Sequence, residues 1–193
     1  MAVLPAVSQQ TIDAFVGAAH GNLNAVKELL AGQSGLINAH ASWDETALGA
    51  AAHTAQREIA GLLLSVGAPM DICTATMLGL RERVARFLRD DAGLAQARGA
   101  HGLPVLYYAA ISGQREAAEL LLAHGADVAA AQDAALFGAV RFGQPAMVEW
   151  LLAHGAHSDA RDAEGRQPLD LALELGQTEV AAVLRRYGAT TLR

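Results

Sequence analysis

Cysteine is nearly absent from this chain: Cys73 stands alone, so no internal disulfide can form and no second thiol exists to build a sulfur-ligated metal knuckle. Lysine is as scarce, Lys27 being the only one, and the arginines are scattered rather than clustered. With a net charge of −6, no basic stripe is available to neutralise a phosphate backbone, which argues against nucleic acid as a partner. No apolar run approaches the roughly 20 residues that a membrane-spanning helix requires. The first seven residues lack the charged start and apolar stretch of a secretory leader. These absences predict a soluble, cytoplasmic protein in a reducing compartment. Aromatics are also sparse, at 5%, although 52% of the residues are hydrophobic. Much of that apolar content is alanine, which implies helices packed at close range. The Ala, Gly and Arg excess fits a GC-rich coding sequence and hence a bacterial source.

What the sequence does have is a repeat. Leu-Leu-Ala-His-Gly-Ala occurs at 121–126 and again at 151–156, with a weaker copy at 63–68 and only the Gly188-Ala189 ending near the C-terminus. Each copy is an apolar helix running into Gly-Ala, where glycine can take the left-handed conformation that closes a helix. A turn precedes each of these helices, at Gly21, Ala55, Gly79, Gly113, Gly143 and Gly176. Five residues beyond the turns stand Val26, Ala60, Val84, Ala118, Val148 and Ala181; eight beyond stand Leu29, Leu63, Phe87, Leu121, Leu151 and Leu184. Positions three apart share a helix face, so every unit has a second helix with one buried stripe. A short alanine-rich helix lies before each turn, as at Ala50–Ala52 and Ala109-Ala110. A two-helix layer of this kind cannot bury its face alone and must stack.

These residues resemble the ankyrin repeat, whose first helix begins Thr-Pro-Leu-His-x-Ala. Degenerate copies of that start occur at 45–52, 102–110 and 165–172. The resemblance implies an all-α ankyrin-repeat solenoid of about six helix-turn-helix repeats with short or missing β-hairpin fingers. The expected division is an N-terminal extension over 1–10, one domain over 11–190 and a tail over 191–193. The repeats fall at about 11–40, 41–70, 71–97, 98–128, 129–160 and 161–190. Polar residues on both end repeats suit a monomer.

The array is irregular. Turn-to-turn distances are 34, 24, 34, 30 and 33 residues, so residues are missing from the connections near 69–73 and, less severely, near 128–134. The first of these connections is expected to have no finger, and the second a shortened one. In ankyrin proteins the fingers and first helices form the concave groove where partners bind, so a clipped finger opens that groove locally. The resemblance places the residues just before each turn, with the finger tips, on the groove. The candidate binding residues are Trp43, His53, Met77, Leu78, Tyr108, Ile111, Arg141 and Phe142. Trp43 belongs at a finger tip, as a contact anchor or folded onto its neighbour; Trp150 belongs in the core.

Chemistry finds less support. The sequence has no Gly-x-Ser-x-Gly elbow, His-Glu-x-x-His, P-loop or Gly-x-Gly-x-x-Gly motif, so no catalytic residue is assigned. An acid–base set of His53 or Asp13 with Tyr108 and Arg141 rests on no motif. His124 and His154 belong to the His-Gly-Ala helix closure. His20 and His53, about one helix spacing of 8–10 Å apart, lack an evident third ligand, so neither a metal nor another cofactor is expected. The leading expectation is a protein or peptide partner held in the groove. The alternative is a small-molecule-binding or enzymatic ankyrin protein with a pocket over repeats 2–5, in a bacterial biosynthetic pathway.

Overall fold

The computed structural model describes residues 7–190, and over that span the chain forms six helix pairs joined by turns and short fingers, each finger numbered by the repeat it opens. The pairs are α1 (Gln9–Ala18) with α2 (Leu23–Gly32), α3 (Ala47–His53) with α4 (Arg57–Ser65), and α5 (Ile72–Leu78) with α6 (Arg81–Asp90). There follow α7 (Val105–Ile111) with α8 (Arg115–Ala123), α9 (Val128–Arg141) with α10 (Pro145–Ala153), and α11 (Pro168–Glu174) with α12 (Thr178–Arg186). No β-strand occurs among the described residues; the second and fourth fingers each have a single antiparallel bridge, His40 with Thr46 and Arg98 with Pro104. The expected all-α solenoid is the observed fold.

Local chemistry sets the helix ends. Ser8, Asn22, Thr46 and Asp71 each accept a hydrogen bond from a first-turn backbone N–H, satisfying donors that the helix leaves free. The recurrent Gly-Ala is a closure in which the alanine N–H bonds back five residues, as from Ala68 to Leu63 O at 3.0 Å and Ala156 to Leu151 O at 2.9 Å. The left-handed glycine between makes that reversal possible, with φ +102° at Gly67 and +96° at Gly155.

The second-helix stripe is the core. Val26, Ala60, Val84, Ala118, Val148 and Ala181 are all sealed from solvent, as are Leu63, Leu121, Leu151 and Leu184. The third repeat shifts by one residue: Leu88 is buried where Phe87 was expected, and Phe87 is half-exposed. In the first helices Ala50, Ala51, Ala109, Ala110 and Ala139 are buried completely, which brings neighbouring layers together at short range.

A glutamine following four of the turns locks consecutive layers. Gln56, Gln114, Gln144 and Gln177 each lie against the turn glycine of the preceding repeat, at Gly21, Gly79, Gly113 and Gly143. A Cβ at Gly113 or Gly143 would come within 2.7 Å of the glutamine Oε1, so these glycines are required by close approach as well as by φ. The third repeat has Leu80 at the register position of the glutamine, and the turn of the preceding repeat is the only one of the six held by alanine, Ala55, at φ +56°.

The two short connections are resolved differently. Between α4 and α5 the chain runs directly from Ala68 to Ile72 without a finger, as the spacing implied. Near 128–134 no shortened finger exists; the segment is absorbed into α9, which is 14 residues long where most of the other first helices have seven. With no third finger in the way, the fourth repeat leans across to the second. A Cβ at Gly49 would lie 3.7 Å from that of Ala100, and Tyr107 donates its hydroxyl to His53 O at 3.1 Å.

Candidate functional site

The groove candidates separate into three sets. Met77, Tyr108 and Ile111 are fully buried in the stacked core and present no side-chain surface to a partner. Repeat register put Met77 and Ile111 beside the turns, and Tyr108 stands where neighbouring repeats have Thr74 and Gly138, but these side chains turn inward between layers. Leu78 and Phe142 are half-buried and Arg141 is exposed. Trp43 and His53 come together near the gap left by the missing finger. Trp43 is 45% exposed, and its indole N–H donates to Glu45 Oε2 at 2.8 Å. It is therefore both a solvent-facing aromatic and tethered in place.

Tyr108, although buried, shapes this region from below. Its ring stands edge-on to Tyr107 with centroids 5.6 Å apart, and its hydroxyl fills the space a side chain at Gly99 would need. Cys73 lies beside it. Burial pushes both the Tyr108 hydroxyl and the Cys73 thiol far up, so neither ionises near neutrality. The acid–base set built on Tyr108 therefore has no accessible acid there. Asp13 accepts from Gln9 Nε2 at 2.9 Å and from Ser42 N at 2.7 Å, which hold its carboxyl below the usual range and pin the second finger to α1.

Glu45 is the centre of the site. It ends the second finger, its side chain is 2% exposed, and three histidines from three different repeats surround it. His20, just past α1, places Nε2 at 3.5 Å from Oε2. His53, the last residue of α3, places Nδ1 at 3.0 Å from Oε1. His101, on the fourth finger, places Nε2 at 3.4 Å from Oε1. Oε1 is sealed from solvent and accepts no well-directed hydrogen bond despite these neighbours. The rings form an edge-to-face series, with centroids 5.1 Å apart from His20 to His53 and 4.9 Å from His53 to His101.

The imidazole orientations are fixed by their own helices. His20 Nδ1 lies 3.1 Å from Val16 O, and His53 Nδ1 lies 3.1 Å from Gly49 O. A carbonyl only accepts, so in the neutral ring Nδ1 carries the proton and Nε2 keeps its lone pair. Burial holds His53 below its ordinary value; Glu45 and the Gly49 carbonyl act against that shift, and the His20 and His101 rings act with it. His124 and His154 also bond a carbonyl of their own helix, at 2.9 and 2.7 Å, and His154 stacks on the buried Trp150.

One ligand atom from each of His20, Glu45, His53 and His101 can be chosen so that all four lie within 4.8 Å of one another. Two of these ligands escape a reading of the sequence because they belong to fingers rather than to helix register. Aligning the fingers by their bonds places Asp44, Gly102 and Gly165 at one left-handed position, with φ +60°, +69° and +79°, and puts His101 at the tip position of Trp43 and Glu164. His101 is the one of these three tip residues with a left-handed backbone, at φ +54°. Beside the cluster opens a cavity of about 450 Å³ lined by Trp43, Asp44, Glu45, Asp71, Ala100 and His101 among others.

Comparison with known proteins agrees with the fold. A family model of three ankyrin repeats matches residues 14–132, and the model of one ankyrin repeat matches 132–163. Human cyclin-dependent kinase inhibitor 2A is 38% identical over 124 residues, covering 62% of this chain and 78% of that protein. Human cyclin-dependent kinase 4 inhibitor B is 34% identical over 136 residues, covering 67% of this chain and 96% of that protein. The E3 ubiquitin-protein ligase Ufd4 of Drosophila melanogaster is 42% identical over 91 residues, 45% of this chain, which spans only 3% of that relative's length. No helix among the described residues is long and apolar enough to cross a membrane. The stacked helix pairs, their Gly-Ala closures and these matches agree, and the chain belongs to the ankyrin-repeat family.

Proposed function

We propose that the chain is a protein-binding module that takes a peptide segment of its partner across the fingers of repeats 2 and 4, as a monomer in the cytosol of a bacterium. The observation that carries the reading is Trp43, an exposed indole whose N–H is tied to Glu45 and which stands at the edge of the 450 Å³ cavity. An aromatic ring already fixed loses little freedom on binding and presents a large apolar face. The exposed Asp44 carboxylate on the same rim favours a basic side chain beside the segment's apolar anchor. Relatives whose names make them kinase inhibitors support a protein as the ligand class. The burial of Met77, Tyr108 and Ile111 supports a site over repeats 2 and 4 rather than along the whole groove.

The test is to pan a random peptide library on the immobilised protein and measure enriched peptides against variants. Trp43→Ala is expected to weaken them about thirtyfold, the loss typical of an aromatic anchor. Val66→Ala, which trims another exposed apolar residue, should leave affinity unchanged. Peptides that bind Trp43→Ala as well as the parent would move the site elsewhere.

A further inference from the structure

We propose that His20, Glu45, His53 and His101 bind one divalent transition-metal ion of the zinc class, clamping together the first, second and fourth repeats. The donor set decides the class: imidazole suits zinc, cobalt and nickel, whereas calcium and magnesium demand oxygen ligands. In a tetrahedral zinc site with bonds of about 2.0–2.1 Å the ligand atoms stand about 3.3 Å apart. The four here lie within 4.8 Å of one another, so closure requires side-chain movement on the order of 1 Å, the scale of that difference. His101, half-exposed on a short finger, can supply it.

Three independent observations separate this site from an ordinary group of surface histidines. The first is Glu45 Oε1, a buried carboxylate oxygen without a directed donor. Leaving a charge so placed is costly, and a cation among the imidazoles removes the cost. Next, His20 Nδ1 is held by a backbone carbonyl while its Nε2 faces Glu45, and Glu45 Oε2 is held by the Trp43 indole, the outer contacts that orient metal ligands. Finally, His101 sits at φ +54°, a conformation that glycine adopts freely and other residues at a cost. The corresponding tip residues of the other fingers, Trp43 and Glu164, are not left-handed. Backbone strain kept at a residue that points into a ligand cluster marks a functional position. The adjoining cavity gives the ion an entry path.

The experiment uses the full chain, stripped with a chelator and titrated with Co²⁺ alone and then with Zn²⁺. One Co²⁺ per chain should bind with the visible absorption of a four-coordinate ion, and one equivalent of Zn²⁺ should displace it. His101→Gly is expected to weaken Co²⁺ binding at least tenfold, while its melting midpoint without metal is unchanged or higher because glycine relieves the left-handed backbone. His124→Ala, outside the cluster, keeps the parent affinity. Should His101→Gly lower the metal-free midpoint, Glu45→Gln, whose amide oxygen can still accept from Trp43, must show the same loss of Co²⁺. Absence of stoichiometric uptake, equal affinity in His101→Gly, or an equal loss in His124→Ala overturns the site and leaves the histidines as neighbours of a buried carboxylate. Because the readout is metal alone, failure here leaves the peptide-binding reading standing, and the converse holds.

Discussion

Ala55 shows how a single residue records what its neighbours do. Five of the six turns use glycine, and four of those glycines face a glutamine from the next layer. In the repeat after Ala55 the glutamine's register position holds Leu80, and no glutamine side chain is there to exclude a Cβ at the turn, though the left-handed φ of +56° remains. Relieving that conformation gains about 1–2 kcal/mol, and the extra freedom of glycine in the unfolded chain offsets part of it. Ala55→Gly should therefore raise the free energy of unfolding by about 0.5–1 kcal/mol, read from the midpoint of a urea titration at unchanged slope. A decrease would mean that the Ala55 methyl makes packing contacts worth more than the strain. At this scale the sequence was legible wherever a residue's own spacing determined its place: the turns, the Gly-Ala closures and the buried Val26, Val84 and Val148. It was not legible at Met77, Tyr108 and Ile111, because register places a residue on a face without saying how far the next layer covers it.

Among the elements, α9 departs furthest from its equivalents. It absorbs a connection that the spacing suggested was a shortened finger, since Val-Ala-Ala-Ala carries no turn signal and favours continued helix. At its middle, Gly138 stands where Tyr107 and Ile111 of α7 crowd closest, and an added Cβ would meet them at 2.7 and 2.9 Å. Helix propensity favours alanine there by about 1 kcal/mol, but overpacking typically costs 1–3 kcal/mol. Packing should win: Gly138→Ala is expected to lower stability by about 1–2 kcal/mol net of that propensity gain, measured by thermal or urea unfolding. A stabilised variant would show that Tyr107 swings aside freely. The helices could be read from their 3.6-residue periodicity. The fingers could not, since seven residues closed by one bridge have no periodicity to read, and Glu45 and His101 lie on fingers.

For the whole molecule, the decisive feature is a part that is missing. A solenoid in which every layer carries its finger keeps the second and fourth fingers apart by the thickness of the third. Here the chain passes from Ala68 to Ile72 directly, and the fourth finger packs on α3 instead. Inserting a copy of the 98–104 segment between Pro69 and Met70 should leave the helix content unchanged, because surface insertions are tolerated at small entropic cost. The same insertion should weaken Co²⁺ binding at least tenfold by holding His101 away from Glu45. Far-UV circular dichroism and a Co²⁺ titration on one sample decide the matter; retained affinity would show that the clipped connection does not seat His101. The short spacing was plain in the sequence, but not its outcome. Which two fingers meet across a gap depends on the tilt of whole layers.

The left-handed residues at 55 and 101 and the absent finger after Pro69 all look, repeat against repeat, like errors that a regularising redesign would correct. Glycine at both positions and a restored finger would each be harmless or helpful to folding. Together they would return a more uniform and more durable scaffold in which His20, Glu45, His53 and His101 no longer converge. In this chain, selection for thermostability and selection for the cluster run in opposite directions.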